Sequence, residues 1–185
     1  PDLKIELRDT DTRQVIDALV QGQADIGIAS GLTTLNGVQS VPLFEDQFGL
    51  VCAPDHSLAR QQAAPTIRQV AGPAFIRNAL CDMIETPAFQ QAVAGAGVAV
   101  HNTLSLIAML RRGRWVSVLP QSVVQIASDD LVFRPLADLP DRRQVVLYVR
   151  ERPQFGALTE EFANLITAQG KEQASPVVET QLIIR

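Results

Sequence analysis

From Phe48 to Ala53 the chain reads FGLVCA, apolar or glycine at every position, so neither alternate set of side chains is polar. A strand of that kind is covered on both faces, as in α/β proteins. Pro54-Asp55 ends it, because proline cannot continue a ladder and aspartate favours a turn. This predicts the place where the chain leaves one lobe for another. Gln144–Val149, QVVLYV, is as apolar, and the two strands together are expected to form a double hinge.

Towards the amino end, LKIEL at Leu3–Leu7 alternates apolar and polar residues and predicts a strand. Thr10 or Thr12 then caps a helix over Arg13–Gln21, with Val15, Ile16, Leu19 and Val20 on one face and Gly22 stopping it. Ala24–Ala29 follows as a buried strand. Strand, helix and strand in close succession predict a βαβ unit with a right-handed crossover. Thr33–Ser40 reads as a loop, and Val41–Phe44 as an antiparallel approach to Phe48–Ala53.

Beyond the Pro54 turn the pattern alternates again. It predicts helices over Pro65–Val70, Pro87–Ala94, Leu104–Arg112 and from Ser122 to Ile126. Strands are predicted at Phe75-Ile76, Val98–Val100, Trp115–Leu119 and Leu131–Pro135. Asp138–Arg142 is a polar crossing. Phe155–Ala168 is an amphipathic closing helix with Leu158, Phe162, Leu165 and Ile166 on one stripe, ended by Gly170. Lys171–Arg185 reads as a tail in which Val177–Ile184 has strand propensity.

Composition narrows the function classes. An apolar fraction of 46% over 185 residues supports a sizeable core in two small lobes. A net charge of −4 argues against this chain gripping nucleic acid alone, since phosphate binding needs a basic face. Arg111, Arg112 and Arg114 sit at a helix end, where they complement the dipole as a solvated face. Cys52 and Cys81 form no C-x-x-C pair and read as reduced and structural. His56 and His101 have no metal-ligand spacing around them, and there is no G-x-S-x-G and no phosphate-binding glycine loop. Glu45 and Asp46 are adjacent and project differently, a poor acid/base pair. No catalytic constellation, metal or cofactor is expected. No apolar run reaches the ~18 residues that span a bilayer, so no membrane association and a cytoplasmic location are expected.

With these pieces placed, the chain resembles the effector-binding domain of LysR-type transcriptional regulators. The residues that carry the likeness are QGQADIGIA at 21–29, VPLFEDQFGLVCAPDHSLA at 41–59, GPAFI at 72–76, NTLSLIAMLRRGRWVSVLPQSVV at 102–124, and the strand and helix at 144–168. The resemblance implies an α/β fold of two Rossmann-like lobes joined by two crossing strands, like the type 2 periplasmic binding proteins. Lobe I would comprise 1–54 and 145–170, lobe II 55–144, and 171–185 a C-terminal tail. It further implies a small effector in the inter-lobe cleft and a homodimer or tetramer, with the Arg13–Gln21 and Leu104–Arg112 helices as candidate contact surfaces. DNA would be bound only through a winged helix-turn-helix absent from this chain. The chain departs from the family twice. The family domain has a further strand and helix ahead of Pro1-Asp2-Leu3, a slot to be filled by residues outside this chain or by Val177–Ile184. Trp115 stands where the family commonly has glycine, implying a more occupied cleft floor.

Helix N-termini suit a carboxylate, because their N–H groups and positive dipole end are free. On that ground Asn102 and Thr103, opening the Leu104–Arg112 helix, are expected ligand contacts, or plain helix caps. Arg77 and Asn78 emerge from a strand end, where Arg77 can pair a carboxylate bidentately. Ser30 and Gly31 leave a strand's carboxyl end, where open α/β sheets bind ligands. Thr10 and Leu119 complete the expected ligand-binding set. A small anionic molecule, a carboxylate, is the expected partner. A free-standing two-lobed solute-binding protein is the alternative reading.

Overall fold

The computed structural model describes residues 5–8, 10–126, 130–153, 156–172 and 183–184. In chain order the elements are α1 (Thr12–Val20), β1 (Ile26–Ser30), β2 (Val38–Cys52), α2 (Ser57–Arg60), α3 (Ile67–Val70), β3 (Ile76–Asn78), a 3-10 turn (Ala79–Met83), α4 (Pro87–Val93), β4 (Val98–Val100), α5 (Thr103–Leu110), β5 (Val116–Pro120), α6 (Gln121–Ile126), β6 (Val132–Pro135), β7 (Arg142–Arg150), α7 (Gly156–Glu172) and β8 (Ile183–Ile184). The chain divides into two compact units, Pro1–Glu45 with Gln144–Arg185, and Asp46–Arg143. It is an α/β protein with both parallel and antiparallel pairings.

In the first unit β1 pairs antiparallel with β7, from Ile26↔Val149 to Ser30↔Val145, and with β8 at Ile26↔Ile184 and Gly27↔Ile183. Helix α1 lies on β1 so closely that a Cβ on Gly27 would meet Val15 Cγ1 at 2.6 Å. Val15, Ala18 and Leu19 bury there against Ala29, Val146 and Tyr148. The helix cap is neither Thr10 nor Thr12. Asp11 accepts from the Gln14 N–H, a carboxylate suiting the positive helix end, while the Thr10 hydroxyl bonds to the Gln14 side chain. The expected strand at Leu3–Leu7 does not form over the described Ile5–Leu7; Leu3 and Lys4 lie outside the described residues. Ile5 and Leu7 stay exposed, and alternation without a pairing partner makes no strand. The expected βαβ unit is therefore replaced by antiparallel pairing of β1. Helix α7 also runs past Gly170, whose missing side chain admits Leu43 (3.2 Å from an ideal Cβ). The glycine serves close packing there and does not end the helix. Val177–Leu182, part of the tail given strand propensity, lies outside the described residues.

The expected loop holds over Thr33–Gly37, whereas Val38–Ser40 and the break before Phe48 give way to one 15-residue strand, β2. Its second half, in the other unit, pairs antiparallel with β5 (Phe48↔Pro120 to Cys52↔Val116) and with β6 (Gly49↔Pro135 to Cys52↔Val132). A parallel bridge, Phe75↔Val116, brings the parallel β3–β4 pair beside β5. The strand is covered on both faces. Phe48, Leu50 and Cys52 enter a cluster with Ile67, Phe75, Phe89 and Val118, whereas Val51 enters another with Ile76, Leu106, Leu110 and Leu119. Trp115 packs half-buried against the second cluster with the Arg114 guanidinium 5.1 Å from its ring centre.

Where the chain enters and leaves this unit, a buried polar network holds it. Arg143 donates to Asp46 Oδ2 through Nε (3.1 Å) and Nη2 (2.7 Å), and Ser122 donates its hydroxyl (2.6 Å) and N–H (3.2 Å) to the same carboxylate. Burial pushes the Arg143 pKa down, opposed by the Asp46 charge. The acids set aside in the sequence as a poor catalytic pair thus include a buried structural one, Asp46. Nearby loops are stapled by side chains: Arg134 donates to the carbonyls of Leu58 (2.9 Å), Ala59 (3.3 Å) and Ala63 (2.9 Å), and Asp138 accepts from the Ile67 N–H at the start of α3 (2.8 Å).

Candidate functional site

Asn78, Leu119, Asn102 and Thr103 come together around one small recess in the second unit, with Ala79, Leu80, Val100, His101 and Leu106. Leu80, Val100, Leu106 and Leu119 make its walls apolar. The recess holds about 30 Å³, space for little more than a water-sized group. It can seat the head of a ligand and no more.

The polar members differ in what they have left to offer. Asn78 is buried, and its amide donates to Ser117 Oγ (2.9 Å) and the Val118 carbonyl (3.1 Å), while its Oδ1 accepts from the Leu80 N–H (2.9 Å). With both amide protons directed inward, Asn78 shapes the recess. Asn102 caps α5: its side chain accepts from the Ser105 N–H (3.0 Å) and its carbonyl takes the Leu106 N–H (3.0 Å). Helix geometry leaves the Thr103 and Leu104 N–H groups without intrahelical partners, and of the two residues Thr103 lines the recess. His101, set aside in the sequence for want of metal spacing, lines the same recess. Its only sequence signal was adjacency to a helix cap.

Arg77 stands apart. One residue earlier on β3 it projects to the opposite face from Asn78, and its guanidinium pairs with Asp82 and reaches Gln90 (3.3 Å). The carboxylate it holds is one of the protein's own.

In the first unit, Ser30 and Gly31 form a turn at the carboxyl end of β1. Gly31 has φ +84°, a left-handed backbone that glycine adopts freely, and open space where a Cβ would be. The Tyr148 hydroxyl pins the turn, donating to the Gly31 carbonyl (2.6 Å) and accepting from the Thr33 N–H (3.0 Å). Thr12 Oγ accepts from the Ser30 N–H (3.4 Å). Tyr148 was read only as an apolar strand residue; a buried hydroxyl needs a partner, and that was the available signal.

Both thiols are buried, and burial raises each pKa to about 11 from an ordinary 9.0. At neutral pH they are expected to resist a thiol reagent in the folded protein and to react at once after denaturation. The raised pKa also sets a sign: the folded state keeps protons that the unfolded state gives up above pH 9. Stability is therefore full below that value and falls between pH 9 and about 11, by about 1.4 kcal/mol per pH unit for each thiol. Denaturant midpoints across that window, with Cys52→Ala and Cys81→Ala each flattening the slope, test it; fast native labelling at pH 7 contradicts it. Among the described residues no three metal-ligating side chains cluster, and no helix is long and apolar enough to cross a membrane.

Compared with known proteins, the chain matches the family model for the LysR substrate binding domain over residues 1–171. It is 25% identical over 172 residues to the probable hydrogen peroxide-inducible genes activator of Streptomyces viridosporus, an alignment covering 88% of this chain and 55% of that protein. The chain therefore spans about half the length of that relative. Among solved structures, the reduced form of the OxyR regulatory domain from Pseudomonas aeruginosa is similar at 22% identity and TM-score 0.68, over 86% of this chain and 80% of that one. The effector-binding domain of QuiR in complex with shikimate is similar at 16% identity and TM-score 0.68, over 89% and 80%. At these identities the structural likenesses speak for the fold.

Proposed function

The chain belongs to the LysR substrate-binding domain family, the effector-binding regulatory part of LysR-type transcription regulators, and from that premise we propose that it senses a small carboxylate. The observation that carries the reading is the recess at the start of α5. It joins an apolar wall, Leu80, Leu106 and Leu119, to the first turn of α5 at Asn102 and Thr103, where helix N–H groups lack intrahelical partners. A carboxylate meets partial positive charge there. Ser30, Gly31 and Thr10 remain proposed ligand contacts, and the Tyr148 hydroxyl fixes the Ser30–Gly31 turn. Arg77 serves better as the anchor of the Asp82 segment.

For the whole regulator the same premise supports a dimer or tetramer, DNA contact through another domain, cytoplasmic location, and no catalytic step. Leu104 on α5 is 76% exposed and Val20 on α1 62%, which suits them to meet a second copy. Family membership favours a regulator over a free-standing solute-binding protein. The name of the Streptomyces relative raises peroxide as a signal. Here both thiols are buried and burial raises their pKa to about 11, which leaves no thiolate poised to attack peroxide. The small-anion reading is the stronger.

The test is a thermal-shift screen of small carboxylates against their neutral amides, with Thr103→Pro alongside. Proline is tolerated at the first helical position, and Asn102 already has the extended backbone (φ −101°, ψ 125°) that a following proline requires. The substitution removes one N–H and keeps the helix. A carboxylate at 100 times its dissociation constant should stabilise the parent by about 2.7 kcal/mol, and the variant should bind at least tenfold more weakly. Arg77→Ala should leave binding unchanged. A carboxylate hit that Thr103→Pro does not weaken, or hits confined to neutral amides, would sink the reading.

A further inference from the structure

One side chain at the recess belongs neither to the helix cap nor to the apolar wall. His101 joins β4 to α5, is exposed, and lines the recess beside Asn102 and Thr103. Among the described residues that line it, His101 is the only one with a titratable side chain. The elements around it supply no rival charge. β4 (VAV), α5 (TLSLIAML), β5 (VSVLP) and α6 (QSVVQI) carry no charged residue. β3 and the 3-10 turn contribute Arg77 and Asp82, which pair with each other, and Arg77 lies on the face of β3 opposite Asn78. Arg111 and Arg112 follow the far end of α5, about 12 Å along its axis, and Arg111 pairs there with Asp130 (3.5 Å). His56, the other histidine, caps α2, its Nδ1 accepting from the Leu58 N–H (3.2 Å).

We propose that His101 makes carboxylate binding at this recess pH-dependent: its imidazolium pairs with the bound carboxylate, so binding strengthens as the pH falls and takes up a proton. The inference rests on the carboxylate reading and adds the regulation of that site. Histidine is the side chain whose charge ordinarily changes between pH 5 and 8, a range in which a carboxyl group with a pKa of about 4 stays ionised. The ligand keeps its charge while the site gains one. A recess of about 30 Å³ brings any head group it holds close to every side chain that lines it, His101 included. Binding and protonation are reciprocal: the factor that the proton adds to carboxylate affinity, the carboxylate adds to proton affinity. Acidification therefore loads the site at a fixed concentration of carboxylate. A neutral amide forms no ion pair and gains nothing.

Acetate and its neutral counterpart acetamide test this on the full chain at pH 8 and pH 6, with sodium chloride holding the ionic strength. Acetate should bind about three- to fivefold more tightly at pH 6, the weight of one ion pair at a solvated rim. Acetamide should show no such gain. His56→Gln should keep the gain, and His101→Gln should lose it. Because a substitution beside a helix cap can disturb α5, a second measurement uses the parent protein. Calorimetry of acetate binding at pH 7, in Tris and in HEPES, should give heats that differ with the buffer, the mark of a proton taken up on binding. Equal acetate affinity at the two pH values, a gain that survives His101→Gln, or equal heats in the two buffers would overturn the proposal and leave the carboxylate reading standing. Acetate failing to bind at either pH would remove that reading, and this inference with it.

Discussion

Arg143→Ala is expected to destabilise the Asp46–Arg143 unit by about 3–5 kcal/mol, the range for breaking a buried ion pair by removing one partner. Asp46 would keep its charge and its burial and lose both guanidinium bonds, retaining only the hydroxyl and N–H of Ser122. The loss compares with a total stability of about 5–15 kcal/mol for a typical domain. Asp46→Ala is expected to cost a similar amount, because it leaves a buried guanidinium without its carboxylate. Replacing both residues with apolar side chains, Asp46→Leu with Arg143→Met, should cost far less than the sum of the two alanine variants, since no buried charge is left behind. Trp115 is the only tryptophan and lies in this unit, so urea unfolding followed by its fluorescence reports the unit directly. Additive losses, or a single-variant loss below about 1 kcal/mol, would mean the pair is solvated and slack.

That network marks the limit of what hydrophobic patterning reveals. The apolar strand at Phe48–Ala53 and the α5–β5 block were legible because burial on both faces, an N-cap and a glycine stop are all local signals. Asp46, Ser122 and Arg143 are brought together from three distant segments, and each alone looks like an ordinary surface residue. The sequence reads Val41–Phe44 and Phe48–Ala53 as separate extended segments; β2 runs through both, with Pro42 inside it, because a strand tolerates proline where its missing N–H is not needed. Gly170 suggested a helix end, since the sequence cannot show Leu43 pressing against it. At the candidate site Asn102 was visible as a cap. His101 and the Tyr148 hydroxyl became apparent only when β4, β7 and the turns beside them were placed. Arg77 carried the right chemistry on the wrong face, its parity in β3 depending on where that strand begins.

Gly49→Ala is expected to cost about 2–3 kcal/mol although it adds a single methyl group, as overpacking of a close-packed sheet does. Gly49 is flanked by β5 and β6, and an ideal Cβ there would lie 2.5 Å from Phe133 Cζ and 2.6 Å from the Arg134 carbonyl oxygen. The ring can turn aside; the carbonyl cannot, because β6 is tied through the Arg134 guanidinium to the carbonyls of Leu58, Ala59 and Ala63. The two obstacles separate in a double-mutant cycle. Phe133→Leu shortens the side chain and should recover part of the loss, while the double variant stays more than 1 kcal/mol below Phe133→Leu alone, as the backbone clash persists. Complete recovery would assign the whole effect to the ring and leave β6 free to shift. A neutral Gly49→Ala would mean that β2 and β6 part easily, and that the Arg134 bonds do not hold the strand in place.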